Sequence, residues 1–217
     1  CPVVVKADGL AKGKGVLIAQ TQAEAEAALR SVFCDKAFGE AGSRAVIEEF
    51  LTGPEVSVLV LTDGEALVPM PSAMDHKRAL DGDMGLNTGG MGAIAPNPCY
   101  TADMAKRCME EIFIPTVRAM AAEGTPFRGC LFFGLMLTPQ GPKVLEYNAR
   151  FGDPETQVVF TLLQNSPLDA FLHCRNGGLR ADDLRFDTGS ACCVVLASGG
   201  YPGAVKSGFA IAQQPHD

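Results

Sequence analysis

The chain has no apolar run longer than a strand, so its sequence offers neither a secretory signal core nor a membrane-spanning helix. It also lacks any excess of positive charge. Asp and Glu number 25 against 18 Lys and Arg, a net charge of -7, which argues against a nucleic-acid groove or an anionic membrane surface as partner. No C-x-x-C pair and no tight metal spacing occurs among the eight cysteines. Buried free thiols in a reducing cytosol are therefore expected rather than disulfides or zinc, and a cytoplasmic location with them. There are no internal repeats and no low-complexity tract. The start, Cys1-Pro2-Val3, reads as internal to a longer chain, and 217 residues are enough for one large or two small domains with a proper core.

What is present is concentrated in a few segments. Leu145 to Gln157, L-E-Y-N-A-R-F-G-D-P-E-T-Q, packs acids, an amide and an arginine into a strand end and the loop after it. A period of two places Val144, Glu146 and Asn148 on one face, opposite Leu145, Tyr147 and Ala149. Carboxylate and amide oxygens together suit a hard divalent cation. Arg150 adds a planar fork for phosphate or carboxylate. A solvated strand edge, with the acid paired to the arginine, is the alternative.

Near the N-terminus, V-V-V-K-A-D-G-L-A-K-G-K-G-V reads as strand, glycine-rich turn, strand. Backbone amides freed by Gly9, Gly13 and Gly15, with Lys6, Lys12 and Lys14, could cradle an anion. The spacing is that of neither a P-loop nor a dinucleotide fingerprint, and a plain mobile hairpin tip is the competing reading. In A-V-I-E-E-F-L-T-G-P-E-V-S, Glu48 and Glu49 sit on an otherwise apolar strand, a costly arrangement unless each finds a partner or one faces water.

Elsewhere the pattern predicts a helix from Gln22 to about Cys34, opened by a Thr21-x-x-Glu24 capping box. It predicts a hairpin at Asp63-Gly64 and a long irregular stretch from Met74 to Pro98. A helix from Thr101 should bury a stripe from Met104 to Met120 and be kinked or ended by Pro115. Strands at 128–137 and 142–147, helices at 155–163 and 167–176, and a strand at 190–197 complete the layout.

Taken in order, V-V-K-A-D-G-L-A-K-G-K-G-V, I-E-E-F-L-T-G-P-E-V-S, D-H-K-R (75–78), N-T-G-G-M-G-A (87–93), E-Y-N-A-R-F-G-D-P-E-T-Q and G-G-Y-P-G (199–203) resemble the glycinamide ribonucleotide synthetase family of ATP-grasp enzymes. The resemblance implies an α+β ATP-grasp fold of two α+β subdomains, with nucleotide held between their sheets. It implies a lid subdomain at 1–50, a larger catalytic subdomain at 51–185, and the opening of a further domain at 186–217. The implied activity is ATP-dependent ligation of glycine to 5-phosphoribosylamine in purine synthesis, with Mg2+ or Mn2+. Lys6, Lys12, Gly13, Lys14 and Gly15 would serve the ATP phosphates, Glu48, Glu49 and Leu51 the adenine, and Glu55 the ribose. Glu146 and Asn148 would hold the metal, and Arg150 the transferring phosphoryl group. Asp75, Lys77 and the loop of Asn87, Thr88, Gly89 and Gly90 would line the acceptor side, with Asp153 nearby. Leu86, where the family is expected to carry proline, and Ala204, where an acid is usual, depart from the pattern, as does the lack of an acid in 131–136. Another ATP-grasp carboxylate ligase, or a non-catalytic ATP-binding fragment, stays open as an alternative.

Overall fold

The computed structural model describes residues 1–11 and 15–210. The chain divides into two compact units, Cys1–Thr52 and Gly53 onward.

The first unit is a three-stranded antiparallel sheet with one helix. Strands β1 (Val3–Ala7), β2 (Val16–Ala19) and β3 (Ala45–Glu49) lie in the order β2-β1-β3. Helix α1 (Gln22–Phe33) packs on β1 and β2 and buries Val5, Ala19 and Val32. Thr21 caps it as the sequence predicts, its hydroxyl accepting the Glu24 N–H at 3.2 Å. The Glu24 carboxylate reaches back one residue further than an ideal box, to the N–H of Gln20 at 2.8 Å.

In the second unit, β4 (Glu55–Thr62), β5 (Leu67–Pro69), β10 (Gly129–Thr138) and β11 (Gly141–Asn148) form an antiparallel sheet in the order β11-β10-β4-β5. Alternation along β4 and β10 builds two cores, one on each face. Val56, Val58, Val60, Leu131, Phe133 and Leu135 face α2 (Ala102–Cys108), a π-helical turn (Met109–Phe113) and α3 (Ile114–Ala122), where Phe113 meets Phe133 at 4.3 Å. Each such fully buried side chain contributes about 1.5–3 kcal/mol. Leu59, Leu61, Cys130 and Phe132 face the other way, onto α4 (Glu155–Thr161) and α5 (Leu168–Asn176). A second sheet, in the order β12-β9-β6, also borders that face, formed by β6 (Met74–Asp75), β9 (Gly92–Ala95) and β12 (Ala191–Val194).

The stretch 74–98, expected to be irregular, instead holds β6, the hairpin β7 (Arg78–Leu80) with β8 (Met84–Asn87), and β9. These strands are two to four residues long, too short for a periodic signal. Pro115 sits in the first turn of α3, so the helical run continues past it to Ala122. It follows the π-turn, where Thr116 Oγ1 donates to Ile112 O at 2.7 Å and the wider turn absorbs the missing N–H. All eight cysteines are free, but only Cys108, Cys130 and Cys174 are buried, against the expectation of a buried set. Among the described residues no helix is long and apolar enough to cross a membrane.

At the predicted Asp63-Gly64 turn, the Asp63 carboxylate accepts N–H groups from Glu65 and Ala66 on one oxygen and from Gly178 and Leu179 on the other, at 2.8–3.0 Å. Burial pushes its pKa up, but these four backbone bonds outweigh burial and hold it below the usual carboxylate range.

Candidate active site

The first unit carries Lys6, Gly15, Glu48, Glu49 and Leu51. Register places Val4, Lys6, Val16, Ile18, Val46 and Glu48 on the face of the sheet opposite Val5 and Ala19. Val16, Ile18 and Val46 are 42–54% exposed there. Lys6 Nζ and Glu48 Oε2, 2.7 Å apart, satisfy the acid that the sequence left without a partner. An open apolar sheet face bordered by one ion pair can receive a flat aromatic ring with polar edges. Gly15 O accepts the Ala7 N–H at 2.8 Å and closes the base of the glycine-rich loop. Lys12, Gly13 and Lys14 lie outside the described residues.

The second unit brings together Glu55, Asp75, Lys77, Glu146 and Glu155. Lys77 Nζ donates to Glu55 Oε2 at 2.9 Å. Burial alone would lower the Lys77 pKa, but Glu55, with Asp75 and Glu146 nearby, holds the ammonium above the ordinary lysine value. Asp75 behaves oppositely. Burial, reinforced by the charge of Glu155, pushes its carboxyl up to about 7 against the pull of Lys77, and its Oδ1 is buried without a hydrogen-bond partner. Gly90 stands against that oxygen with φ +119°, and a Cβ there would fall 2.9 Å from Oδ1 and overlap Pro154. Only glycine fits so closely at that φ.

Glu146 and Asn148 share a face as predicted, with Asn148 Nδ2 3.2 Å from Glu146 Oε1. Val144 does not join them. Gly134 pairs with Glu146 but Leu135 pairs with Val144, so Leu145 is an extra residue in a β-bulge. The bulge sends Val144 to the Tyr147 face, where both line an apolar groove with Ile112, Pro115, Met120 and Leu131. That groove lies on the opposite face of β11 from the polar cluster. Among the described residues no group of three or more His, Cys, Asp or Glu could hold a metal, so a cation at Glu146 and Asn148 would draw its other ligands from substrate and water.

The remaining expected residues lie on neighbouring loops. Arg150 Nη1 donates to Phe151 O at 2.9 Å, and Asp153 Oδ1 accepts Gln157 Nε2 at 2.6 Å. Asn87 ends β8 beside Arg78. Thr88 bonds Lys77 O through both its N–H and its hydroxyl, and its Oγ1 accepts the Gly90 N–H at 3.0 Å. Sequence reasoning missed three contributors. Glu155 is 3% exposed and accepts the Ser57 hydroxyl at 3.0 Å, while Asn97, also buried, donates to Glu55 O at 2.9 Å. An acid opening an apolar helix at Glu155-x-x-Val158-Val159 was the one available signal.

This arrangement is that of an ATP-grasp protein. The biotin carboxylase domain of the Hydrogenobacter thermophilus 2-oxoglutarate carboxylase, solved with MgADP, shares the fold at TM-score 0.60 and 20% identity, covering 88% of this chain and 40% of that one. Residues 1–156 match the phosphoribosylglycinamide synthetase, ATP-grasp (A) domain family, and the chain belongs to that family. The phosphoribosylamine–glycine ligase of Vibrio vulnificus is 49% identical over 99% of this chain and 50% of its own length. The Thermotoga maritima phosphoribosylamine–glycine ligase structure superposes at TM-score 0.81 with 38% identity, over 94% of this chain and 51% of that one. The chain thus spans about half the length of the curated relatives it matches.

Proposed function

We propose that this chain carries the ATP-binding and phosphoryl-transfer machinery of a ligase that joins glycine to 5-phosphoribosylamine, yielding glycinamide ribonucleotide, ADP and phosphate. The observation that carries the reading is the convergence of Glu55, Asp75, Lys77, Glu146 and Glu155 beside a glycine-rich loop in one unit. Glycine's carboxylate is a poor electrophile. Transfer of the γ-phosphoryl group of ATP converts it to glycyl phosphate, and the amine of phosphoribosylamine then attacks the carbonyl carbon. As the C–N bond forms, the C–O bond to phosphate breaks and the nitrogen gives up a proton.

Such chemistry asks the protein for positioning and charge neutralisation. Lys6, Lys12, Gly13, Lys14 and Gly15 serve the ATP phosphates, and Glu48, Glu49 and Leu51 the base, for which the open apolar face of the first sheet is suited. Glu55 serves the ribose. Arg150 and Lys77 offset charge on the transferring group, with Asp153 alongside. Asp75 and the loop from Asn87 to Gly90 take the acceptor side. Glu146 and Asn148 offer the oxygens a magnesium or manganese ion prefers, and such an ion supplies charge neutralisation at the phosphates. The MgADP bound by the Hydrogenobacter thermophilus relative supports that pairing of nucleotide and ion.

A coupled assay of ADP release tests the reading. Turnover with glycine plus phosphoribosylamine and none with bicarbonate supports it. Bicarbonate-dependent turnover points to a different carboxylate ligase, and ATP binding without turnover to a nucleotide-binding fragment.

A further inference from the structure

The segment after β12 is laced to the glycine-rich loop of the second unit. β12 pairs with β9, Val194 against Gly92, and the Val195 N–H donates to Met91 O at 2.9 Å. Cys193 Sγ lies 3.6 Å from Pro154 O, the residue that Gly90 abuts. Within the loop, the amides of Thr88 and Met91 are taken by Lys77 O and His76 O, and that of Gly90 by Thr88 Oγ1. The Gly89 amide instead reaches across 112 positions to the hydroxyl of Tyr201, 2.9 Å away. Tyr201 is set on a turn of its own, its N–H donating to Ser198 O at 3.2 Å and Gly203 N–H to Gly200 O at 2.8 Å.

We propose that Tyr201 is a positioning residue for the acceptor side of the site: its hydroxyl holds the Gly89 amide and thereby sets Gly90 against Asp75 and Pro154. The inference rests on the proposed function for what the loop receives. The bond itself is independent of that reading. The Gly90 backbone packs so close to Pro154 and the buried Asp75 Oδ1 that no Cβ fits there, and the Tyr201 bond to the adjoining Gly89 amide completes the anchors already made by Thr88, Gly90 and Met91, so that the pocket edge is formed before ligand arrives. Tyr201 is 38% exposed, and removing its hydroxyl leaves the buried cores untouched.

The test compares the 15N-labelled chain with Tyr201→Phe. Amide exchange at Gly89 should quicken about fivefold while β4 and β10 amides and the melting temperature stay unchanged. Titration with glycine, ribose 5-phosphate and Mg-ATP, each alone, should show an acceptor probe bound about fivefold more weakly by the variant and ATP bound equally. Unchanged Gly89 exchange, or acceptor affinities equal in both proteins, overturns the inference. If the unaltered chain binds neither acceptor probe, the placement of the acceptor at this loop fails, and the exchange result still decides whether Tyr201 holds Gly89.

Discussion

Ser57 on β4 donates its hydroxyl to Glu155 on α4 at 3.0 Å, across 98 positions of sequence, and so holds a buried carboxylate close to Asp75. Burial raises the cost of ionising Asp75, and the charge of Glu155 adds to it. Glu155→Gln keeps the shape and an acceptor for Ser57 but deletes the charge. The pKa of Asp75 should fall from about 7 toward its ordinary value, read by carbon-detected NMR titration of the carboxyl.

A raised carboxyl pKa is a stability liability at neutral pH. The folded state holds the Asp75 proton up to about pH 7, whereas the unfolded chain releases it near 3.8. The contribution of this group to stability is therefore present in acid and is lost as pH rises across that window. Asp75→Asn should flatten this part of the pH profile and stabilise the chain at pH 8 by about 1–2 kcal/mol, discounted for water reaching a half-buried group. Urea melts at pH 5 and pH 8 would check it.

Asp63 runs the other way. Its folded pKa is lowered, so its contribution is intact above about pH 4 and is lost as pH falls through the folded value. Asp63→Ala leaves four N–H groups without their acceptor and should cost about 2–4 kcal/mol, measured by urea denaturation at pH 7. Asp63→Asn should lose less, since its amide oxygen still accepts.

Gly134 lies across the sheet from Glu146, and a Cβ there would come 3.0 Å from Glu146 Cγ. Glu146 is exposed and can swing aside, so Gly134→Ala should fold normally yet weaken Mg-ATP binding about three- to tenfold in calorimetric titration. Glu146→Ala should weaken it further. Undiminished binding in both variants would rule Glu146 out as a metal ligand.

The sequence was legible where a rule acts over a few residues. The Thr21 cap, the Asp63 turn and the common face of Glu146 and Asn148 follow from local spacing. What it hid depends on partners far along the chain. The bulge at Leu145 is a mismatch between β11 and β10, visible only when both strands are paired, and it moved Val144 to the other face. The role of Glu155 needed Ser57 and Asp75 beside it. The strands within 74–98 owe their existence to pairing with each other and, for β9, with β12 rather than to any pattern of their own.

The π-turn before Pro115 has a consequence for phase along the helix. Continued α winding would put Cys108 and Val117 about 180° apart around the axis; the wider π-turn takes up one residue, so Cys108, Phe113 and Val117, spaced five and then four apart, are all buried. Excising Glu110 alone would let the segment rewind as an uninterrupted α-helix with Met104 and Cys108 still in phase with Val117, whereas α winding of the segment with every residue retained would swing them about 100° around the axis and turn one half of the stripe toward water. The wide turn is thus a phase correction that lets two short helices serve one core.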